Sequence, residues 1–295
     1  MSGIDDIPPS RRQYRVSMFP EFETSDVCRA EDDKRRNWML FAHRRFPEVI
    51  DEAAAMNFFV DFQEAAIDHN MPISLASREY MRRLRDLVCS DIWRMIDGYG
   101  DKLIEKSVGS FTIVPRTWEI KAGELADVDP RLLIKALRTA LYERGAAEKN
   151  GWIIAFIHGE YDPVAKVYRI HVHGLAMGEM IQAVDGLRNL PNYQTQKLVE
   201  DGKPNPVYRR VRINRKPLTN LPDPITYLLQ SFWPSRAVVI SDDGKRIRAR
   251  QKSRIPEPYH SEVLLWLHRW RLADLTLMIG LRAGVNGLYE TRVPS

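Results

Sequence analysis

Residues 153–177 read IIAFIHGEYDPVAKVYRIHVHGLAM. Two runs rich in apolar, β-branched and aromatic residues flank Asp162-Pro163, a dipeptide that favours turns, so the stretch predicts an antiparallel hairpin. Side chains alternate along a strand, and His171 and His173 therefore share one face. Folding the hairpin about Pro163 to Lys166 sets His158 across from His171 and puts Glu160 one pleat further along on that face. Three imidazoles and a carboxylate then converge, a donor set suited to a divalent ion that must also bind phosphate. Alternating histidines can also do no more than cover a solvated sheet. His158 and Glu160 beside them favour the metal reading, whereas His43, His69, His260 and His268 lack such company and read as ordinary polar residues.

The elements around the hairpin follow from their own signals. Ser110 to Pro115 reads as a strand. Asp129-Pro130 opens a helix, with aspartate as N-cap and proline at the first helical position, and Gly145 closes it. After the hairpin, Met180, Ile181, Val184 and Leu187 have helical spacing. Val207 to Ile213 alternates like a half-solvated strand. Asp223-Pro224 repeats the capping device and predicts a helix running to Trp233-Pro234. The order β-α-β-β-α-β-α contains the ferredoxin-like split βαβ arrangement: an α+β fold with a four-stranded antiparallel sheet, helices on one face and the other face free for a site. This region spans 108–235. Residues 1–35 mix Pro, Asp and Arg without periodicity and read as a mobile tail. Residues 36–107 read as a helical accessory region, with helices over Glu48 to Asp68 and from an N-cap at Ser77 to a stop at Gly98. Residues 236–295 read as a basic hairpin followed by helices at Ser261 to Trp270 and Leu272 to Leu281.

Composition narrows the setting. The chain has 295 residues, 44% hydrophobic and 28% charged, with a formal net charge of +5. Cys28 and Cys89 are its only cysteines, which excludes a four-thiolate zinc site and argues against a disulfide framework. No apolar run approaches the ~20 residues of a membrane span, and the N-terminus has no apolar signal core. A cytoplasmic protein with no membrane partner is expected. Basic residues are clustered: Lys203, Arg209, Arg210, Arg212, Arg215 and Lys216 lie between the hairpin and the helix that opens at Asp223-Pro224. Arg246, Arg248, Arg250, Lys252 and Arg254 then recur at every second position, forming one basic edge if the segment is a strand. Such runs are often solvated faces. Their nearness in sequence to Tyr227 favours contacts with nucleic-acid phosphates, with Tyr208, Phe232 and Trp233 as stacking surfaces.

Tyr227 stands in the predicted helix after Asp223-Pro224, with Gln230 three residues on and on the same face. A tyrosine can serve as a covalent nucleophile. Its free pKa near ~10 leaves little phenolate at neutral pH, so assistance is needed. Beside Leu228, Leu229 and Phe232, a core tyrosine is the competing reading.

Strand, hairpin ending in His-Val-His-Gly-Leu, helix, basic strand and a helix with one tyrosine: residues 108–235 resemble the HUH superfamily of single-strand DNA endonucleases, nearest to rolling-circle replication initiators. The resemblance implies that His171 and His173 hold Mg²⁺ or Mn²⁺ with a third ligand from His158 or Glu160. It implies that Tyr227 attacks the scissile phosphate, giving a 5′-phosphotyrosine and a free 3′-hydroxyl that the same site can rejoin. The implied substrate is single-stranded or extruded DNA of a plasmid, phage or mobile element, with a host helicase or polymerase as partner. Position 230 is Gln where initiators often carry Lys. As in some single-tyrosine transposases, Gln230 is then a candidate metal ligand. No second tyrosine stands at helical spacing, and no GxxxxGK[ST] follows. Two other readings stay open: a non-catalytic nucleic-acid binder on the same scaffold, and a phosphohydrolase that uses water instead of tyrosine.

Overall fold

The computed structural model describes residues 24–68, 74–99, 108–195, 199–200, 203–204, 209–215, 218, 223–229, 232–240, 246–248 and 252–291. Three helices come first: α1 (Ser25–Arg45), α2 (Glu52–Ile67) and α3 (Arg78–Asp97). Helix α1 begins inside the stretch read as a tail. Its buried stripe is Cys28, Asp32, Arg35, Met39 and Ala42; two of these five are charged, which hides the helical period from a search for apolar residues. Their charges are satisfied in the tertiary structure. Asp32 accepts from Ser77 Oγ (2.6 Å), the Arg78 amide (2.6 Å) and the Glu79 amide (3.2 Å), while Arg35 donates to the Ala76 carbonyl at 2.6 Å. Asp32 thus caps α3 from another helix, and Ser77 accepts from the Tyr80 amide, as an N-cap does. Helix α2 starts later than expected, with Asp51 as its cap.

The sheet is built from β1 (Val108–Ile113), β2 (Glu119–Lys121), β3 (Ile153–Asp162), β4 (Val167–Met177) and β5 (Val211–Asn214), with helices α4 (Pro130–Glu143) and α5 (Met180–Gly186) between strands. Asp129 caps α4 by accepting from the Arg131 amide, with proline at its start. Every ladder is antiparallel, and the path runs β3, β4, β1, β5, with β2 also on β4. The architecture is α+β with a mostly antiparallel sheet. In the long β3–β4 ladder His158 pairs with His171, Phe156 with His173 and Glu160 with Arg169, the register that the turn at 163–166 predicts. The turn is tied by the Asp162 carboxylate, which accepts from the amides of Val164 and Ala165 and from Arg169 Nη1.

The structure departs from expectation in three further places. The helix after β5, α6, covers only Asp223–Thr226, and Tyr227 lies in the turn that follows it. The segment 272–281 is not helical. After a 3-10 turn (Leu272–Leu275), β8 (Thr276–Ile279) pairs with Ile153–Phe156, and a hairpin of β9 (Leu281–Gly284) and β10 (Gly287–Glu290) follows. A short apolar run fits either period, and the unpaired edge of β3 selects the strand. Ahead of it, α7 (Tyr259–His268) has the length of the predicted helix but begins and ends two residues earlier. The basic stretch is not one described strand: among the described residues β7 (Arg246–Arg248) pairs with β6 (Val238–Ile240), and Ser253 forms a separate bridge to Ser235.

One apolar cluster joins the helices to the sheet, including Met39, Phe58 and Ile92 together with Phe156, Val172 and Trp266. Strands β3 and β4 are buried along almost their whole length. The sheet face anticipated as free from the sequence is therefore covered over β3 and β4. The cover includes α3, which packs on α6 and gives a thiol contact from Cys89 to the Ile225 carbonyl.

Candidate functional site

His158, His171 and His173 form one cluster. Ring centroids are 4.9 Å apart for His158–His173, 4.8 Å for His171–His173 and 6.1 Å for His158–His171. The sequence places this cluster on a solvent-facing surface, whereas His171 and His173 are each only 9% exposed and His158 4%. The residues that follow α6 bring the change about.

Hydrogen-bond chemistry assigns the ring nitrogens. His171 Nδ1 lies 2.9 Å from the Arg169 carbonyl. A carbonyl only accepts, so Nδ1 carries the hydrogen and Nε2 of the neutral ring holds a lone pair. That lone pair faces His173 Nε2 at 3.2 Å. His173 Nδ1 lies 2.9 Å from Thr112 Oγ1, a hydroxyl that can donate or accept. Thr112 thereby permits two states of His173: Nε2–H donating to His171, or Nδ1–H donating to Thr112 with both Nε2 lone pairs turned to a shared cation. Two nitrogens about 2.1 Å from one ion and about 100° apart are separated by about 3.2 Å, so the pair fits two adjacent positions of a metal ion. Burial, then His158, His171, Arg212 and Lys252, hold His173 far below the ordinary imidazole range. It is neutral, as a metal ligand must be. Burial pushes His158 down to about 4, with the Leu228 carbonyl acting the other way.

One of the other predicted donors is engaged elsewhere. His158 Nε2 is hydrogen-bonded to the Leu228 carbonyl. Glu160 is buried on the same face, opposite Arg169, and Gln230 lies outside the described residues. Among the described residues no three His, Cys, Asp or Glu side chains converge on one point.

Tyr227 does reach the cluster. Its ring stands 4.8 Å from that of His173 at 69°, and it is 47% exposed while Ile225, Leu228 and Leu229 are buried. The neighbouring leucines therefore anchor the turn and leave the tyrosine at the surface. Lys252 Nζ lies 5.8 Å from the centre of the same ring. A cleft of about 470 Å³ opens beside them, lined by residues that include Ser110, Thr112, His173, Arg212, Asn214 and Tyr227.

No protein family, curated protein or solved structure matches the chain.

The predicted basic residues separate. Arg212 lines the cleft and Lys252 flanks Tyr227. Arg209 is exposed, and its carbonyl accepts from Arg212 Nε. Arg210 donates to the Val114 carbonyl and Arg215 pairs with Asp185 at 2.7 Å. Arg254 pairs with Glu31 on α1 at 3.5 Å. Arg246 and Arg248 lie in β7, while Lys216 and Arg250, like Tyr208, fall outside the described residues. Of the other histidines, His43 meets the Ile50 carbonyl, His260 pairs with Glu257, and His268 contacts Ser74 and Asp61; His69 is outside the described residues. Sequence reasoning missed Thr112 and the Leu228 carbonyl. Thr112 was within reach of strand alternation, since it pairs with His173; a backbone acceptor leaves no side-chain signal. No described helix is long and apolar enough to cross a membrane.

Proposed function

We propose that the protein is a metal-dependent, site-specific DNA-nicking and rejoining enzyme of the HUH type, acting as a replication initiator of a plasmid, phage or mobile element. The observation that carries this reading is the apposition of Tyr227 and His173, 4.8 Å between rings, at the edge of a cleft that Arg212 also lines. The spatial order β3-β4-β1-β5 supports a ferredoxin-like core, because it interleaves the strands as a split βαβ unit does.

In this reading His171 and His173 would hold Mg²⁺ or Mn²⁺ through their facing Nε2 atoms, with Glu160 and Gln230 as candidates for a third ligand. The ion would polarise the scissile phosphate. The residues of the chain do the rest. Arg212 and Lys252 bind phosphates of a single strand. Tyr227 Oη loses its proton and attacks phosphorus; the bond from phosphorus to the 3′ oxygen breaks, and that oxygen leaves as a hydroxyl after gaining a proton. The phosphotyrosine preserves the phosphodiester energy, so attack by a 3′-hydroxyl reseals the strand and regenerates Tyr227. Incubating the full chain with labelled circular single-stranded DNA and Mn²⁺, followed by a denaturing gel, tests it. A covalent protein–DNA adduct is expected. Cleavage without adduct would mean a hydrolase using water, and binding without cleavage a non-catalytic binder.

A further inference from the structure

We infer that His158 is a positioning residue whose Nε2 latches the Tyr227 turn onto the sheet, so that this nitrogen is not offered to a metal. Its Nε2 faces the carbonyl of Leu228, the residue next to Tyr227, and since the carbonyl can only accept, this nitrogen carries hydrogen and has no lone pair for an ion. The ring is 4% exposed. The small cavity it borders, about 30 Å³, is otherwise walled by apolar residues such as Met81, Phe156 and Leu229. In such surroundings a hydrogen bond to a backbone carbonyl is strong, and breaking it leaves two buried polar groups without partners.

The latch also explains the local backbone. The Leu228 amide donates to the Ile225 carbonyl at 3.1 Å, so the chain is still turning when it leaves α6. In a continuing helix the Leu228 carbonyl would accept from an amide four residues on; here His158 takes it. The contacts close a ring: His158 holds Leu228, Leu228 carries Tyr227, Tyr227 meets His173 edge-on, and His173 meets His158 edge-on at 4.9 Å. Strand β3 thus fixes where the tyrosine stands relative to the imidazole pair. The catalytic meaning of this placement rests on the reading of Tyr227 as nucleophile; the latch itself does not.

Two measurements on the full chain test it. In ¹⁵N-histidine-labelled wild-type protein, His158 is expected as the Nε2–H tautomer, and it keeps that hydrogen when Zn²⁺ is added. Nδ1–H instead, or loss of the Nε2 hydrogen with Zn²⁺, would overturn the latch, and no variant has to fold for this result. Second, His158→Gln places an amide donor near the Nε2 position, whereas His158→Asn places it near Nδ1. With Tyr227→Leu as reference for the ring-current shift of Tyr227 on the His173 C–H resonances, Asn is expected to move them to the reference position and Gln to leave them as in wild type. Wild-type shifts in the Asn variant would sink the proposal. If the wild type nicks DNA, kcat should fall on the order of 100-fold in the Asn variant, with KM little changed and Gln restoring the rate. If the wild type does not nick, the functional reading fails while both NMR results still decide the latch.

Discussion

The ring of Tyr227 stands edge-on to the imidazole of His173, 4.8 Å between centroids, and Lys252 lies 5.8 Å from the centre of the same tyrosine ring. In the proposed reading this surface tyrosine, with an imidazole and an ammonium beside it, would attack a bound phosphate.

Tyr227→Phe is expected to abolish both nicking and the covalent adduct while shifting stability by less than about 0.5 kcal/mol, since the side chain is half exposed. Metal and DNA binding should persist. Gel assay, calorimetric titration and a thermal melt check the three statements, and nicking at the wild-type rate would remove Tyr227 from the mechanism.

Thr112→Val removes the partner of His173 Nδ1. It should weaken Mn²⁺ binding by about 10–100-fold in a calorimetric titration with the fold intact. His173→Ala should lose binding altogether and also cost about 1–3 kcal/mol, because the ring is buried and not, as the sequence suggests, on an open face. Undiminished affinity in both variants would mean that the pair does not hold the ion.

Arg212→Ala and Lys252→Ala should each flatten the dependence of log K for single-stranded DNA on log salt by about 0.7. Arg215→Ala should change it less, since Arg215 is paired with Asp185. Fluorescence anisotropy across a salt series reads the slopes; equal slopes in all three variants would place the DNA elsewhere.

Asp32→Ala leaves three donors at the start of α3 without their acceptor and should cost about 2–3 kcal/mol in chemical denaturation. An effect below about 0.5 kcal/mol would mean that Ser77 alone caps the helix.

Gly159→Ala tests how closely Trp233 packs on β3. A Cβ there would stand 2.3 Å from Trp233, whose ring lies 5.3 Å from Trp266 and 6.2 Å from Tyr168. A loss of about 1–3 kcal/mol is expected, and a neutral result in the same denaturation assay would show that Trp233 can move aside.

The sequence by itself determined what depends on neighbours along the chain. Strand alternation and the Asp162-Pro163 turn set the register that puts His158 across from His171, and Asp129-Pro130 marked the start of α4, because turns and caps are formed by groups a few residues apart. Tertiary structure decided the rest. It ended α6 at Thr226, where the sequence favours a longer helix, and set the Leu228 carbonyl against His158 of a distant strand. It made 276–279 a strand because β3 offered an unpaired edge. It hid α1 behind Asp32 and Arg35, whose burial is tolerable only with partners from the 76–79 region. And it set Tyr227 against His173, a contact between residues on separate elements whose cost in chain entropy is met by the burial of Ile225, Leu228 and Leu229 beside it.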